Sequence, residues 1–427
     1  MTDRPDHTPL DILAQRAAAA VDPDALVQLT RALIRIPSVY RPGDPTGAEA
    51  AVAGFLAASL RDRGLRVMTQ EAAPGRPNVI ADWDSGTHGR SLILEGHTDV
   101  VTEGDPAAWT RPPFDAIIED HRIYGRGAAD MKGGLAAAVG ALDAVRRAAP
   151  DLPGRVRIAA VVDEEGMMTG IKAFIAGGHA RGFDAALVCE PEENEICLHQ
   201  KGAMRFVATV TGRMSHGAMP YAGINPIPQA ARLVLELGEE ETRAQRQHGS
   251  HRFLGLPWIT PTTIRAPVRG EAQLNVMAGE TQITIDVRTI PGQDHAALHR
   301  ALEAAAGRAR AADPRVEISL VLIEDRPWTE TPASAPIVAA VERAVRRIAG
   351  REPRYSGVPG STDGTFLHAA GIPIVTIGPG RRDIPHQADE YVSIDELTEA
   401  ARLYAAAIVY FLGEGGRPHG LHAVVPA

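Results

Sequence analysis

Three apolar runs in the chain stop at residues that could bind a metal or move a proton. Residues 92–96 lead into His97 and Asp99, residues 156–162 into Asp163, Glu164 and Glu165, and residues 185–189 into Glu190. A glycine-punctuated loop, 124–134, presents Asp130 just before a helical pattern, and a loop after a fourth apolar run carries His386. His97, Asp130, Glu165, Glu190 and His386 are two imidazoles and three carboxylates, a nitrogen–oxygen set that Zn2+ and similar divalent cations accept. Carboxylates packed together raise one another's pKa, and two cations would remove that cost. If one carboxylate bridges, each metal has three protein ligands and room for a shared water, an arrangement that activates water and polarises a carbonyl. A further carboxylate must stay free as general base. Glu164 and Glu165 are adjacent, so one can bind metal while the other faces the water.

These residues need a frame that brings distant segments together. Buried strands are expected at 65–70, 78–83, 91–96, 155–162, 185–189 and 373–377, interleaved with helices at 26–36, 49–63 and 135–147. That alternation predicts a central α/β sheet, and such sheets bind ligands beyond the carboxyl ends of their strands. The middle of the chain reads differently. Alternating strands at 205–211, 281–288 and 316–323, helices at 228–239 and 296–311, and one more strand near 273–277 give a β-α-β-β-α-β order. That order fits a small α+β sandwich inserted into the larger domain. The expected class is α/β, a central mixed sheet flanked by helices. Its domain is split into 1–203 and 324–427, with the insertion at 204–323. Residues 403–412, the most apolar run, read as a packed C-terminal helix.

Composition narrows the function. A chain of 427 residues predicts two or three domains. Lys plus Arg number 44 against 53 Asp plus Glu, a net charge of −9, which argues against a nucleic-acid partner. No run approaches the roughly 18 apolar residues that span a bilayer. Two cysteines cannot build a disulfide framework, so a reducing compartment, the cytoplasm, is expected. The glycines of 125–134 lack the spacing of a dinucleotide fingerprint, which sets aside a nucleotide-dependent oxidoreductase.

The motifs Gly96-His97-Thr98-Asp99-Val100-Val101, Trp109 with Pro112-Pro113-Phe114, Gly125-Arg126-Gly127-Ala128-Ala129-Asp130-Met131-Lys132-Gly133-Gly134 and Asp163-Glu164-Glu165 closely resemble one family. It is the co-catalytic zinc amidohydrolase and exopeptidase family of acetylornithine deacetylase, succinyl-diaminopimelate desuccinylase, carboxypeptidase G and the aminoacylases. The resemblance extends from about Leu26 to about Leu412. It implies a zinc-exopeptidase-like catalytic domain with an inserted dimerisation domain, and two divalent metals, Zn2+ first and Co2+ or Mn2+ as alternatives, bridged by Asp130. His97 and Glu190 would complete one site, and Glu165 and His386 the other. Asp99 would orient the His97 ring through its second nitrogen, and Glu164 would be the base. His216, in Ser215-His216-Gly217, would reach the partner subunit's site in a homodimer and stabilise the oxyanion. Asn275 and Arg288 match substrate-contacting positions, and Gly360 and Ser361 begin a pocket-lining loop. Without the resemblance, Asp99 also reads as a turn cap, Asn275 as a turn residue and Arg288 as a salt-bridge partner.

The implied reaction is hydrolysis of the amide of an N-acyl amino acid or related small compound; exopeptidase action on small peptides is the alternative. Desuccinylases of the family typically carry Arg-Arg-Gly-Ser ahead of the inserted-domain histidine, where this chain reads Gln200-Lys201-Gly202-Ala203. The acyl group is therefore left open.

Overall fold

Runs rich in valine, leucine and isoleucine become the centre of a mixed sheet. In this computed structural model, which describes residues 8–41 and 49–415, strands Arg66–Ala73, Arg76–Asp84, Arg155–Val161, Ser91–His97, Ala185–Val188 and Ile374–Thr376 lie side by side in that order. Arg76–Asp84 runs antiparallel to both of its neighbours, Arg66–Ala73 and Arg155–Val161. From Arg155–Val161 onward neighbours run parallel, with Leu92 opposite both Val156 and Ala185. Both faces of these strands are covered, which is why they read as continuous apolar runs. Leu92, Leu94, Ile158 and Leu187 face helices Pro23–Ile34, Ala50–Asp62, Gly133–Ala148 and Ile394–Gly413. Ile93, Ala159, Ala186 and Ile374 face Ile171 and Phe174 of helix Thr169–Ala176.

The second half of helix Ile394–Gly413 is apolar all round because every residue from Leu403 to Leu412 is buried. Among the described residues no helix is long and apolar enough to cross a membrane. Helix Pro9–Ala19, which no apolar pattern announced, is set by a capping box between Thr8 and Asp11.

The chain divides into two compact units: one of residues to Leu198, Thr331–Ser356 and from Phe366 on, the other of His199–Glu330 with Gly357–Thr365. The stretch Gly357–Thr365 falls inside the expected 324–427 segment yet joins the smaller unit. There Val358 accepts the Lys201 amide at 3.2 Å and the Gln200 carboxamide oxygen accepts the Thr362 amide at 3.0 Å.

The smaller unit has a four-stranded antiparallel sheet, ordered Trp258–Arg265, Glu280–Thr289, Gly202–Thr211, Glu317–Arg326. Phe206, Ile283, Ile285 and Val287 pack against Leu233, Leu237 and Leu302 of helices Ile227–His248 and His295–Ala311. One expectation is corrected here. The strand near 273–277 is not in this sheet; only Val276–Met277 is extended, and it pairs with Ser215–His216. The position belongs to Trp258–Arg265, whose Pro261 disguised it. Proline is tolerated there because the strand lies at the sheet edge and its ladder slips between Pro261 and Thr263.

Candidate metal centre

Three neighbouring parallel strands end on acid or imidazole groups. His97 closes Ser91–His97, the segment after Arg155–Val161 carries Glu164 and Glu165, and the segment after Ala185–Val188 carries Glu190. The His97 ring is fixed through Nδ1, 2.9 Å from the main-chain oxygen of Asp99. Donation there places the ring proton on Nδ1 and leaves Nε2 as a lone pair, a tautomer suited to metal ligation. The Asp99 carboxylate stands 3.6 Å from the same nitrogen. It accepts the amides of Glu164 at 3.2 Å and Glu165 at 3.1 Å. Asp99 thus meets the ring through its backbone and the acidic turn through its side chain.

Asp130 sits in a loop held at several points. Gly127 adopts a left-handed φ of 84°, and a Cβ on Gly134 would lie 1.9 Å from the Cys189 oxygen, so only glycine lets the following helix approach the strand that delivers Glu190. The buried Lys132 ammonium donates to Leu33 O at 2.9 Å and Ile36 O at 2.8 Å, satisfying carbonyls at the end of helix Pro23–Ile34. Buried Glu390 accepts the Ala129 amide at 2.9 Å and the Asp130 amide at 3.1 Å, and pairs with Arg126 at 2.5 Å. Neither Glu390 nor the role of Lys132 was visible in sequence, because their partners lie far along the chain.

The ligand atoms converge. His97 Nε2 is 3.1 Å from Asp130 Oδ1 and 3.8 Å from Glu190 Oε1. His386 Nε2 is 3.4 Å from Asp130 Oδ2 and 3.1 Å from Glu165 Oε1. Asp130 thus presents one oxygen to each histidine. His97, Asp130 and Glu165 offer ligand atoms within 4.8 Å of one another, and so do His97, Glu164 and Glu190. Glu165 lies on the His386 side and Glu164 on the Glu190 side.

Burial raises the pKa of Glu190, with the charges of Asp130 and Glu164 adding to it. Burial and then Asp130 do the same to Glu165. His386 is pushed up to about 10 by its contacts with Asp130 and Glu165. So many buried carboxylates demand positive charge. Two imidazoles and three carboxylates are a donor set that fits divalent cations, which would supply that charge.

The remaining expected residues lie in the smaller unit. His216 is exposed, and its Nδ1 accepts the Ala218 amide at 3.0 Å. Asn275 is exposed, and its main-chain oxygen accepts the Gly217 amide at 2.7 Å. Arg288 is half-buried and forms an ion pair with Asp286 at 2.6 Å. Ser361 is buried with its hydroxyl 3.5 Å from Thr365 Oγ1, and nothing stands within 4 Å of a Cβ placed on Gly360. His199, His251 and Glu330 also bring ligand-type atoms within 4.8 Å. Nδ1 of His251, however, accepts the amides of Phe253 and Leu254 at 3.2 and 3.3 Å, so its other nitrogen carries the ring proton.

Comparison with known proteins identifies the family. The peptidase family M20/M25/M40 pattern matches residues 93–410. A succinyl-diaminopimelate desuccinylase of Methylorubrum populi is 32% identical over 398 residues, covering 89% of this chain and 96% of its own. A succinyl-diaminopimelate desuccinylase 2 of Ruegeria sp. is 31% identical over 415 residues, covering 95% and 98%. Among solved structures, an M20 metallo-carboxypeptidase of Sulfolobus solfataricus superposes with a TM-score of 0.76 at 19% identity, covering 90% of this chain and 99% of its own. A dinuclear metal-binding M20 peptidase of Bacillus subtilis gives 0.69 at 17% identity, covering 92% and 98%. The chain belongs to peptidase family M20/M25/M40 and is a hydrolase of that family.

Proposed function

We propose that this hydrolase cleaves the amide of an N-acyl amino acid or a related small compound at a centre of two divalent cations, Zn2+ first. His97, Glu190 and Asp130 would hold one, and Asp130, Glu165 and His386 the other. The observation that carries the reading is the placement of Asp130 between the two histidines, one oxygen toward each. Such cations supply Lewis acidity for the scissile carbonyl.

The chain's own groups do the rest. Glu164 takes the proton of the attacking water and passes it to the leaving nitrogen. Asp99 fixes the turn that aims Glu164. Asn275, Arg288, Gly360 and Ser361 are assigned to the substrate. His216 is assigned to the oxyanion in a second copy's site. Its Nδ1 acceptor bond leaves the proton of the neutral ring on Nε2, where it can donate. The residues around it, Met214, Met219, Tyr221 and Leu274, are exposed and apolar, a surface that a second copy of the chain would cover. Two free, buried cysteines suit a reducing compartment such as the cytoplasm.

The relatives at 31–32% identity are desuccinylases, which favours an acyl amide over a peptide. The test is a screen of metal-loaded protein against N-acetyl, N-succinyl, N-formyl and N-carbamoyl amino acids and dipeptides, scored by free amine. Turnover of acyl amino acids is expected. Turnover of dipeptides alone would replace this reading with the exopeptidase one.

A further inference from the structure

The turn that carries Glu164 and Glu165 is acidic, left-handed at Asp163, and must still aim two adjacent carboxylates at different tasks. Asp163 has a φ of 67°, a conformation that aspartate reaches more readily than most side chains but that still needs its surroundings to enforce it. Its carboxylate supplies part of that enforcement. Oδ2 accepts the Met167 amide at 3.3 Å, the Thr169 amide at 3.2 Å and the Thr169 hydroxyl. Oδ1 accepts Arg76 Nη1 at 2.8 Å. Arg76 is itself 6% exposed. Its Nε reaches both Glu49 oxygens at 2.9 Å, and the Tyr40 ring centroid lies 3.8 Å from its guanidinium carbon. It comes from the start of strand Arg76–Asp84, a rigid sheet element.

We infer that Arg76 is a positioning residue: seated between Glu49 and Asp163, it locks Asp163 in its left-handed conformation and so sets the directions of Glu164 and Glu165. Two carboxylates, Asp99 and Asp163, gather the amides of this turn. Arginine suits the place better than lysine. Its planar fork bonds two carboxylates at fixed angles, whereas an ammonium is a point charge. The inference rests on the proposed roles of Glu164 and Glu165.

The test compares Arg76→Met, Arg76→Lys and Asp163→Asn in the full chain. It reads kcat and KM on a substrate of the wild-type protein, Co2+ binding followed by absorption, and Tm. Losing support of this kind usually costs about 10- to 100-fold in activity or metal affinity. The expected result for Arg76→Met is a fall of that size in kcat, KM within about threefold, and one of two Co2+ steps weakened about tenfold. Arg76→Lys should recover part of the kcat. Asp163→Asn keeps the residue's size and tolerance of a left-handed φ, so it stays interpretable if Arg76→Met does not fold. It should lose kcat similarly, and combining it with Arg76→Lys should cost little more than the larger single loss. Arg343→Met, which breaks an ion pair with Asp11, controls for lost stability and should lower Tm with kcat unchanged. The inference is overturned if the Arg76 and Asp163 variants lower Tm alone while kcat and both Co2+ steps stay at wild-type values. A wild-type chain that binds no Co2+ and hydrolyses no amide would instead remove the proposed function, and this inference with it.

Discussion

Glu164 and Glu165 are neighbours in sequence but stand on different sides of the candidate centre, one toward Glu190 and the other 3.1 Å from His386. Glu164→Gln keeps size and some hydrogen bonding but cannot take up a proton. Both metals should stay bound while kcat falls by at least about 10²–10⁴-fold. Glu165→Gln should lose metal together with rate. Metal stoichiometry measured beside turnover separates the two, and metal loss in Glu164→Gln alone would reverse the assignment. His97, Asp130, Glu165, Glu190 and His386 were legible in sequence because each ends an apolar run or sits in a distinctive loop. Glu390 and Arg76 were not. Glu390 meets Ala129 across 261 positions and Arg76 meets Asp163 across 87, and pairing at that range leaves no local pattern.

At the scale of elements, legibility followed burial. Ser91–His97 and Arg155–Val161 have both faces covered and announce themselves as apolar runs. The edge strand Trp258–Arg265, mostly exposed and interrupted by Pro261, did not. Helix Pro9–Ala19 was also silent, because its anchor is polar. Asp11 is fully buried; it completes the capping box with Thr8, and accepts Tyr410 Oη at 2.9 Å and Arg343 Nε at 3.1 Å. Burial alone would raise its carboxyl, but the Thr8, Tyr410 and Arg343 bonds outweigh it and hold the group at about 2 against an ordinary 3.8. A carboxyl depressed on folding adds stability above its unfolded pKa and loses it as pH falls toward the folded one. Asp11→Ala should therefore lower stability at pH 7 by about 1–2 kcal/mol, the scale of a lost cap, and the deficit should shrink between pH 4 and 2. Denaturant unfolding of both proteins across that range checks it. A deficit independent of pH would mean the carboxylate charge is not what holds the helix.

For the whole molecule the proposal requires two copies, since His216 is assigned to the other chain's site. His216→Ala should lower kcat with metal content unchanged. Mixing it with Glu164→Gln, each impaired alone, should raise turnover above that of either. The hybrid would pair an intact base in the His216→Ala chain with the histidine of the Glu164→Gln chain. Subunit exchange followed by an activity assay reads this directly, and a mixture no more active than its components would contradict the arrangement. More basic still is the claim that the His97, Asp130, Glu165, Glu190 and His386 cluster drives amide hydrolysis through bound cations. The measurement closest to it is a titration of chelator-stripped protein with Zn2+ or Co2+, following release of free amine from an N-acyl amino acid. No turnover before addition, and a rise that saturates near two ions per chain, is the result expected; full turnover in demonstrably metal-free protein would contradict the account.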